Sequence, residues 1–388
     1  MIVKLYNRST RLALLVGALD TAIVFSYLTP LPVPVWYAAL ILAKLAVVAF
    51  DLRHPGPIFQ RNAPLLGLTL IMAASSFLHF EAGRTYDQSI GHLAFVIQAG
   101  LTLYVLRPET VAAYCRSAAT MILAAMVVYL ALAATGHIDH VYGRYQFFGG
   151  SHPNLGSEII AVGAVAAAAS FNRRNFFVFI GLAIIAVAMM QGRAALVTCL
   201  LVAMVRAAAA IGELPPRTRR ISTALLLVAG PTILAMVALP LIENLNSALM
   251  LDDEHRGIGT GFVGRDERWL GAWRLFLDAP LMGNGADVFA DRGMHGAHSF
   301  PLYALACYGT LGAVFLGMIG RRIILVALDN RWLGAAWLSL LVMLVLNDRF
   351  LNLNPYPFLA ITMLCAFYGA AERRLILRSG AVLSPARG

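Results

Sequence analysis

The sequence predicts an all-α polytopic membrane protein, and three observations carry that expectation. Hydrophobic residues fill 60% of the 388 positions and charged residues 13%, with a mean hydropathy of +0.74. A soluble domain of this length cannot bury so much apolar surface. The apolar residues come in separate runs of about 20, the length a spanning helix requires. Lys and Arg gather in alternate connections, as they do in loops retained in the cytoplasm.

Taken in order, twelve segments meet the length criterion: 12–29, 33–50, 64–80, 90–106, 112–135, 155–171, 174–190, 193–209, 221–241, 298–319, 331–347 and 355–370. The first follows Lys4, Arg8 and Arg11, but no small-residue cleavage site precedes the second. It therefore reads as a retained span and not as a removable signal. Asp20 and Lys44, in the first and second spans, lie at similar depth once the spans run antiparallel, so a structural ion pair is expected in preference to a proton relay. The sixth span opens on "SHPNLG", with Pro153 in the first turn, where a missing N–H does little harm. Cys115, Cys199, Cys307 and Cys365 all fall inside spans and read as small apolar residues.

This divides the chain into N-terminal transmembrane helices (1–135), a core with one large loop at 242–297 (136–320), and C-terminal helices with a cytoplasmic tail (321–388). The loop contains "GRDERWLGAWRLFLD", helical in spacing through Trp269, Trp273 and Phe276. Spacing alone also fits an amphipathic helix anchored at the membrane surface by Arg and Trp.

Placing the N-terminus inside puts most arginines of the connections inside, including Arg61, Arg107, Arg321, Arg322, Arg373 and Arg374. Arg84, Arg144, Arg193 and Arg349 remain in the short external connections. The same asymmetry accounts for the net charge of +10 and removes the case for a nucleic-acid partner. Eight of the nine histidines fall in the external half, and only His54 stays inside. Among the external ones, His295 and His298 stand in "GMHGAHSF" at the mouth of the tenth span, where Gly293 and Gly296 are expected to let the preceding chain approach closely.

The ordered pieces "GRYQFFGGSHPNLG", "QGRAAL", "GRDERWLGAWRLFLDAPLMGNG" and "HSFPLYALACYGTLG" resemble the bacterial O-antigen ligase and polymerase superfamily over roughly residues 140–320. The resemblance implies a periplasmic-face glycosyltransferase of the inner membrane. It would take a glycan from undecaprenyl diphosphate and transfer it to an acceptor glycan or lipid A core, with membrane lipids around it and no metal or cofactor. It assigns diphosphate binding to Arg193 and Arg265 and the catalytic base to His298. Arg144, Asn154, Arg268 and His295 are further candidate substrate contacts. "QGRA" departs from the family's commoner Ser-Arg-Gly wording, and His295 competes with His298 for the role of base.

The residue types suit that chemistry. A guanidinium matches phosphate oxygens with a planar, permanently charged fork, and imidazole has an ordinary pKa suited to taking a hydroxyl proton. Arg193 equally fits a snorkelling interfacial arginine, and Arg144 an ordinary loop arginine. The acidic run Asp252, Asp253, Glu254 and His255 is read as solvated and not as a metal site, and "GNG" at 283–285 is too short for a nucleotide fingerprint. Ligase and polymerase both remain open. The reading from another class is a transporter or flippase of a lipid-linked sugar, against which stands the lack of a detectable internal repeat.

Overall fold

A computed structural model describes residues 8–26, 33–49, 55–79, 87–141, 144–147, 153–220, 265–294, 296–345 and 355–383. Among the described residues, apart from one two-residue antiparallel pairing, His140–Val141 with Arg144–Tyr145, the regular structure is helical. In chain order the helices are α1 (Arg8–Ser26), α2 (Val33–Ala49), α3 (Pro57–Ser76), α4 (Asp87–Val105), α5 (Val111–Ala134), α6 (Pro153–Ser170), α7 (Arg173–Met189), α8 (Arg193–Gly212), α9 (Arg265–Asp278), α10 (Val288–Asp291), α11 (Phe300–Asp329), α12 (Arg331–Val345) and α13 (Pro355–Leu383). Four among the described residues are long and apolar enough to cross a membrane: α1, α5 with its preceding turn, α8 and α11; α2 and α12 are apolar but shorter. The expected ninth segment, 221–241, and the loop up to residue 264 lie outside the described residues.

Two helices form the interior. Residues 155–167 of α6 and 357–371 of α13 are buried without interruption. Along α6 the residues are mostly Gly, Ala, Ser and Val, small enough for neighbours to approach from every side. α13 packs against α1, α3, α4, α5, α6 and α11. Peripheral helices turn Leu42, Ile71, Ile90, Val128, Met204 and Leu328 outward, the reverse of a water-soluble surface.

Two of the buried charges, Lys44 and Asp20, pair with each other. Lys44 Nζ lies 2.6 Å from Asp20 Oδ1, both side chains fully buried, and also donates to the Gln98 carbonyl at 2.7 Å. Thr102 Oγ1 and the Tyr114 hydroxyl donate to Asp20 Oδ2 at 2.7 and 2.9 Å. The pair expected from the sequence is thus the centre of a network joining α1, α2, α4 and α5.

The bundle has two chemically different ends. At one, Arg61 donates to the Gly369 carbonyl and approaches Glu372, Arg321 also reaches Glu372, and Arg374 grips Asp329 with two nitrogens. There the buried Arg322 donates to Asn62 Oδ1 and lies over the Tyr368 ring. At the other end lie the paired strands His140–Val141 and Arg144–Tyr145, the start of α6, the α7–α8 turn and the described residues between Pro280 and Ser299.

The expected tenth span, 298–319, is not one uninterrupted helix. Gly309 has φ 54° and ψ −128°, which breaks α11 into a limb Phe300–Tyr308 and a longer limb from Thr310 onward. The break frees carbonyls and an N–H, and the chain after α9 satisfies them. Asn284 N donates to Ala306 O, Gly285 N to Cys307 O, and Thr310 N to Pro280 O at 2.9 Å. Gly283 makes this seam possible, since a Cβ there would stand 2.2 Å from the Cys307 oxygen. "GNG" therefore patches a helix break.

Candidate functional site

The first group of sequence-marked residues is built around the α7–α8 turn. α7 ends in a Schellman arrangement, with Gly192 N donating to Val187 O and Gln191 N to Ala188 O. That motif puts Gln191 in the left-handed position usually held by glycine, at φ 53°. The turn is pressed from one side by α6, because a Cβ on Gly192 would lie 2.2 Å from Ser157 Oγ. Arg193 follows at once as the half-buried first residue of α8.

Arg144 fixes this turn from below. It is only 1% exposed, and its Nε donates to the Met190 carbonyl at 2.9 Å while Nη2 donates to the same carbonyl and, at 2.7 Å, to Asn154 Oδ1. The guanidinium thereby ties the hairpin strand, the first turn of α6 and the end of α7 together. Arg144 and Asn154, expected as substrate contacts, are bonded to each other, and Arg144 also to the Met190 carbonyl in the turn before Arg193. Nε and Nη2 of the buried Arg144 thus serve the protein's own oxygens.

Glu158 was missed in the sequence. It is 2% exposed and lies one turn after Asn154 on the same face of α6. Its signal was legible, a lone acid in an otherwise apolar and small-residue helix.

The second group surrounds His298. This residue is half-buried, has φ 47°, and precedes Ser299, the extended residue before α11. Histidine is among the residue types enriched in that left-handed region. Trp269 Nε1 donates to the His298 carbonyl at 3.4 Å, so α9 holds the segment from the side. α9 carries Arg265 and Arg268; Arg268 is half-buried on the face shared with Ala272 and Leu275, and the side chain of Arg265 lies outside the described residues. His295 and the run 252–255 lie outside them too. Gly293 serves conformation and not close approach, because its φ is 65° and nothing stands within 4 Å of a Cβ built there.

The loop before His298 is anchored to the bundle by Asp287. Its carboxylate accepts from Gln88 N at 3.0 Å and Ser89 Oγ at 3.1 Å, capping the start of α4 from a distant part of the chain. Burial raises the Asp287 pKa above the ordinary aspartate value, and those two hydrogen bonds oppose the shift. Ala286 N donates to Ser76 Oγ and Ala286 O accepts from the Tyr303 hydroxyl at 2.7 Å, which secures the preceding residue as well. Nothing in the sequence pattern marked Asp287, since its partners are about 200 positions away.

Chemically, the first group offers a guanidinium on a rigid turn at a helix N-terminus, where anions are favoured. The second offers an imidazole on a constrained backbone beside an arginine-bearing helix. Comparison with protein-family models, curated proteins and solved structures finds no match to this chain.

Proposed function

We propose that the chain is a membrane glycosyltransferase that takes a glycan from undecaprenyl diphosphate and passes it to an acceptor hydroxyl at the outer face of a bacterial inner membrane. One observation carries the reading. Among the described residues, the non-glycine positions with positive φ are Gln191 and His298, and they fall in "QGRAAL" and "AHSF", two of the three motifs from which the chemistry was read. Backbone strain of this kind costs about 1–3 kcal/mol per residue and persists where the surroundings over-determine a position, as reactive sites require.

In this reading Arg193 and Arg265 hold the donor diphosphate and neutralise the charge that gathers on it as the glycosidic C–O bond breaks. His298 accepts the proton of the acceptor hydroxyl as its oxygen forms the new bond to the anomeric carbon, and undecaprenyl diphosphate leaves. Arg268 and His295 are further contacts to the donor or acceptor, while Arg144 and Asn154 position Arg193. Twelve spans with both termini in the cytoplasm place the Arg61, Arg321 and Arg374 end inside, and the two strained turns in the periplasm. The acceptor is lipid A core for a ligase, or a growing O-antigen or exopolysaccharide chain for a polymerase.

The test is purified protein with an undecaprenyl-diphosphate-linked glycan and each acceptor in turn. Release of undecaprenyl diphosphate with glycosylated acceptor is expected, and the acceptor used separates ligase from polymerase. Donor that crosses a proteoliposome membrane intact would make the chain a transporter.

A further inference from the structure

α9 has three faces, not two. At 100° per residue, Ala272 and Leu275 fall on one side, and both are buried where the helix packs on α11. Leu270, Trp273 and Leu277 fall within an arc of about 60° on the opposite side. They are 49%, 42% and 58% exposed, and the stripe runs on into Leu281 and Met282, exposed as well. Between these two faces, along one flank only, lie Glu267, Arg274 and Asp278, all exposed.

An exposed stripe of large apolar residues needs a cover, and the chain itself indicates which. Pro280 and Leu281 accept from Thr310 N, so Leu281 and Met282 sit at the head of the long limb of α11. One turn further along that limb Val314 is 48% exposed, followed by Ile324 and Leu328, which belong to a helix long and apolar enough to cross a membrane. The stripe is thus the upward continuation of a bilayer-facing surface, and the flank of Glu267, Arg274 and Asp278 gives the helix its polar edge. A Trp among leucines beside exposed charges is the composition of a helix lying at the membrane surface.

We propose that α9 lies in the outer membrane–water interface, with Leu270, Trp273 and Leu277 among phospholipid acyl chains and Arg274 in the headgroup layer. The inference does not depend on the transferase reading. Its consequence is that Trp269, on the same helix, holds the His298 backbone at headgroup depth, where any lipid-borne phosphate would also lie.

Spin labels test this on the full chain in phospholipid nanodiscs. The four native cysteines are buried, so labels can be directed to Leu270→Cys, Leu277→Cys and, on the polar flank, Arg274→Cys. All three positions are exposed, and the two stripe positions check each other against local misfolding. Collision with oxygen, which concentrates in acyl chains, should exceed collision with an aqueous nickel chelate at positions 270 and 277, and the order should reverse at 274. Ready access of the nickel chelate to all three labels would show a helix standing in water and overturn the proposal. Protection of positions 270 and 277 from both agents would also overturn it, because the stripe would then be covered by protein, such as a second copy of this chain.

Discussion

Removing the Arg144 guanidinium should loosen the α7–α8 turn and, through it, Arg193. Three of the guanidinium's hydrogen bonds go to two acceptors, the Met190 carbonyl and Asn154 Oδ1, from a site that is 1% exposed. Each buried acceptor left without a donor costs about 1–3 kcal/mol, and Asn154, being half-buried, recovers part of that from solvent. Arg144→Ala should therefore destabilise the fold by roughly 2–4 kcal/mol. With an unfolding entropy of about 2.1 cal/mol/K per residue, this lowers the melting temperature of a chain this long by roughly 3–5 °C. Arg144→Lys, which supplies one point of donation instead of a fork, should lose about half as much. A thiol-reactive dye reads the transition directly, since Cys115, Cys199, Cys307 and Cys365 are all buried until the bundle opens. Turnover should fall in both variants, and the further loss from Arg144→Lys should nearly vanish in an Arg193→Ala background, because the two residues act through one turn. An unchanged melting temperature, or losses in turnover that simply multiply, would refute the positioning role.

Four further outcomes follow from the same structure. His298→Ala should reduce turnover by about 10²- to 10⁴-fold with donor binding retained, and near-normal turnover would end the general-base reading. Lys44→Met should destabilise the chain by about 3–5 kcal/mol by stranding Asp20, and Asp20→Asn added to it should restore much of the loss; a double variant worse than the single one would contradict the pairing account. Gly309→Ala should lower thermal stability and uncouple the 280–285 seam, since its Cβ would lie 2.5 Å from the Pro280 oxygen at φ 54°; hydrogen exchange at Thr310 that stays slow would count against this. Burial raises the folded-state pKa of Asp287 above its ordinary 3.8, so its stabilising contribution is complete below that value and is lost as pH rises through the raised one. The melting temperature should accordingly fall with rising pH across that window relative to Asp287→Asn, and a pH-independent difference would refute the assignment.

The all-α character of the described residues was legible because long apolar runs carry their signal locally, and the pairing of Asp20 with Lys44 followed from antiparallel depth alone. The break at Gly309 was not legible. Nothing near "CYGTLG" distinguishes a glycine that interrupts a helix from one that eases packing, and the partner that makes the break tolerable, "GNG", lies some 25 residues earlier. The burial of Arg144 was not legible for the related reason that exposure is a property of the fold, and an external-loop arginine reads the same in sequence whether it faces solvent or a carbonyl. Asp287 and Glu158 show the two limits: Glu158 was marked by its apolar context, whereas Asp287 gains its role only from the distant start of α4.

The most direct measurement is stoichiometric. Proteoliposomes holding the purified chain and a glycan labelled on undecaprenyl diphosphate, supplied with acceptor outside, should yield one undecaprenyl diphosphate for each glycan joined to acceptor. Arg193→Ala and His298→Ala proteins of unchanged fold should yield far less of both products, about 10²- to 10⁴-fold less for His298→Ala. Intact labelled donor recovered on the opposite leaflet, with no diphosphate released by any of the three proteins, would contradict the account.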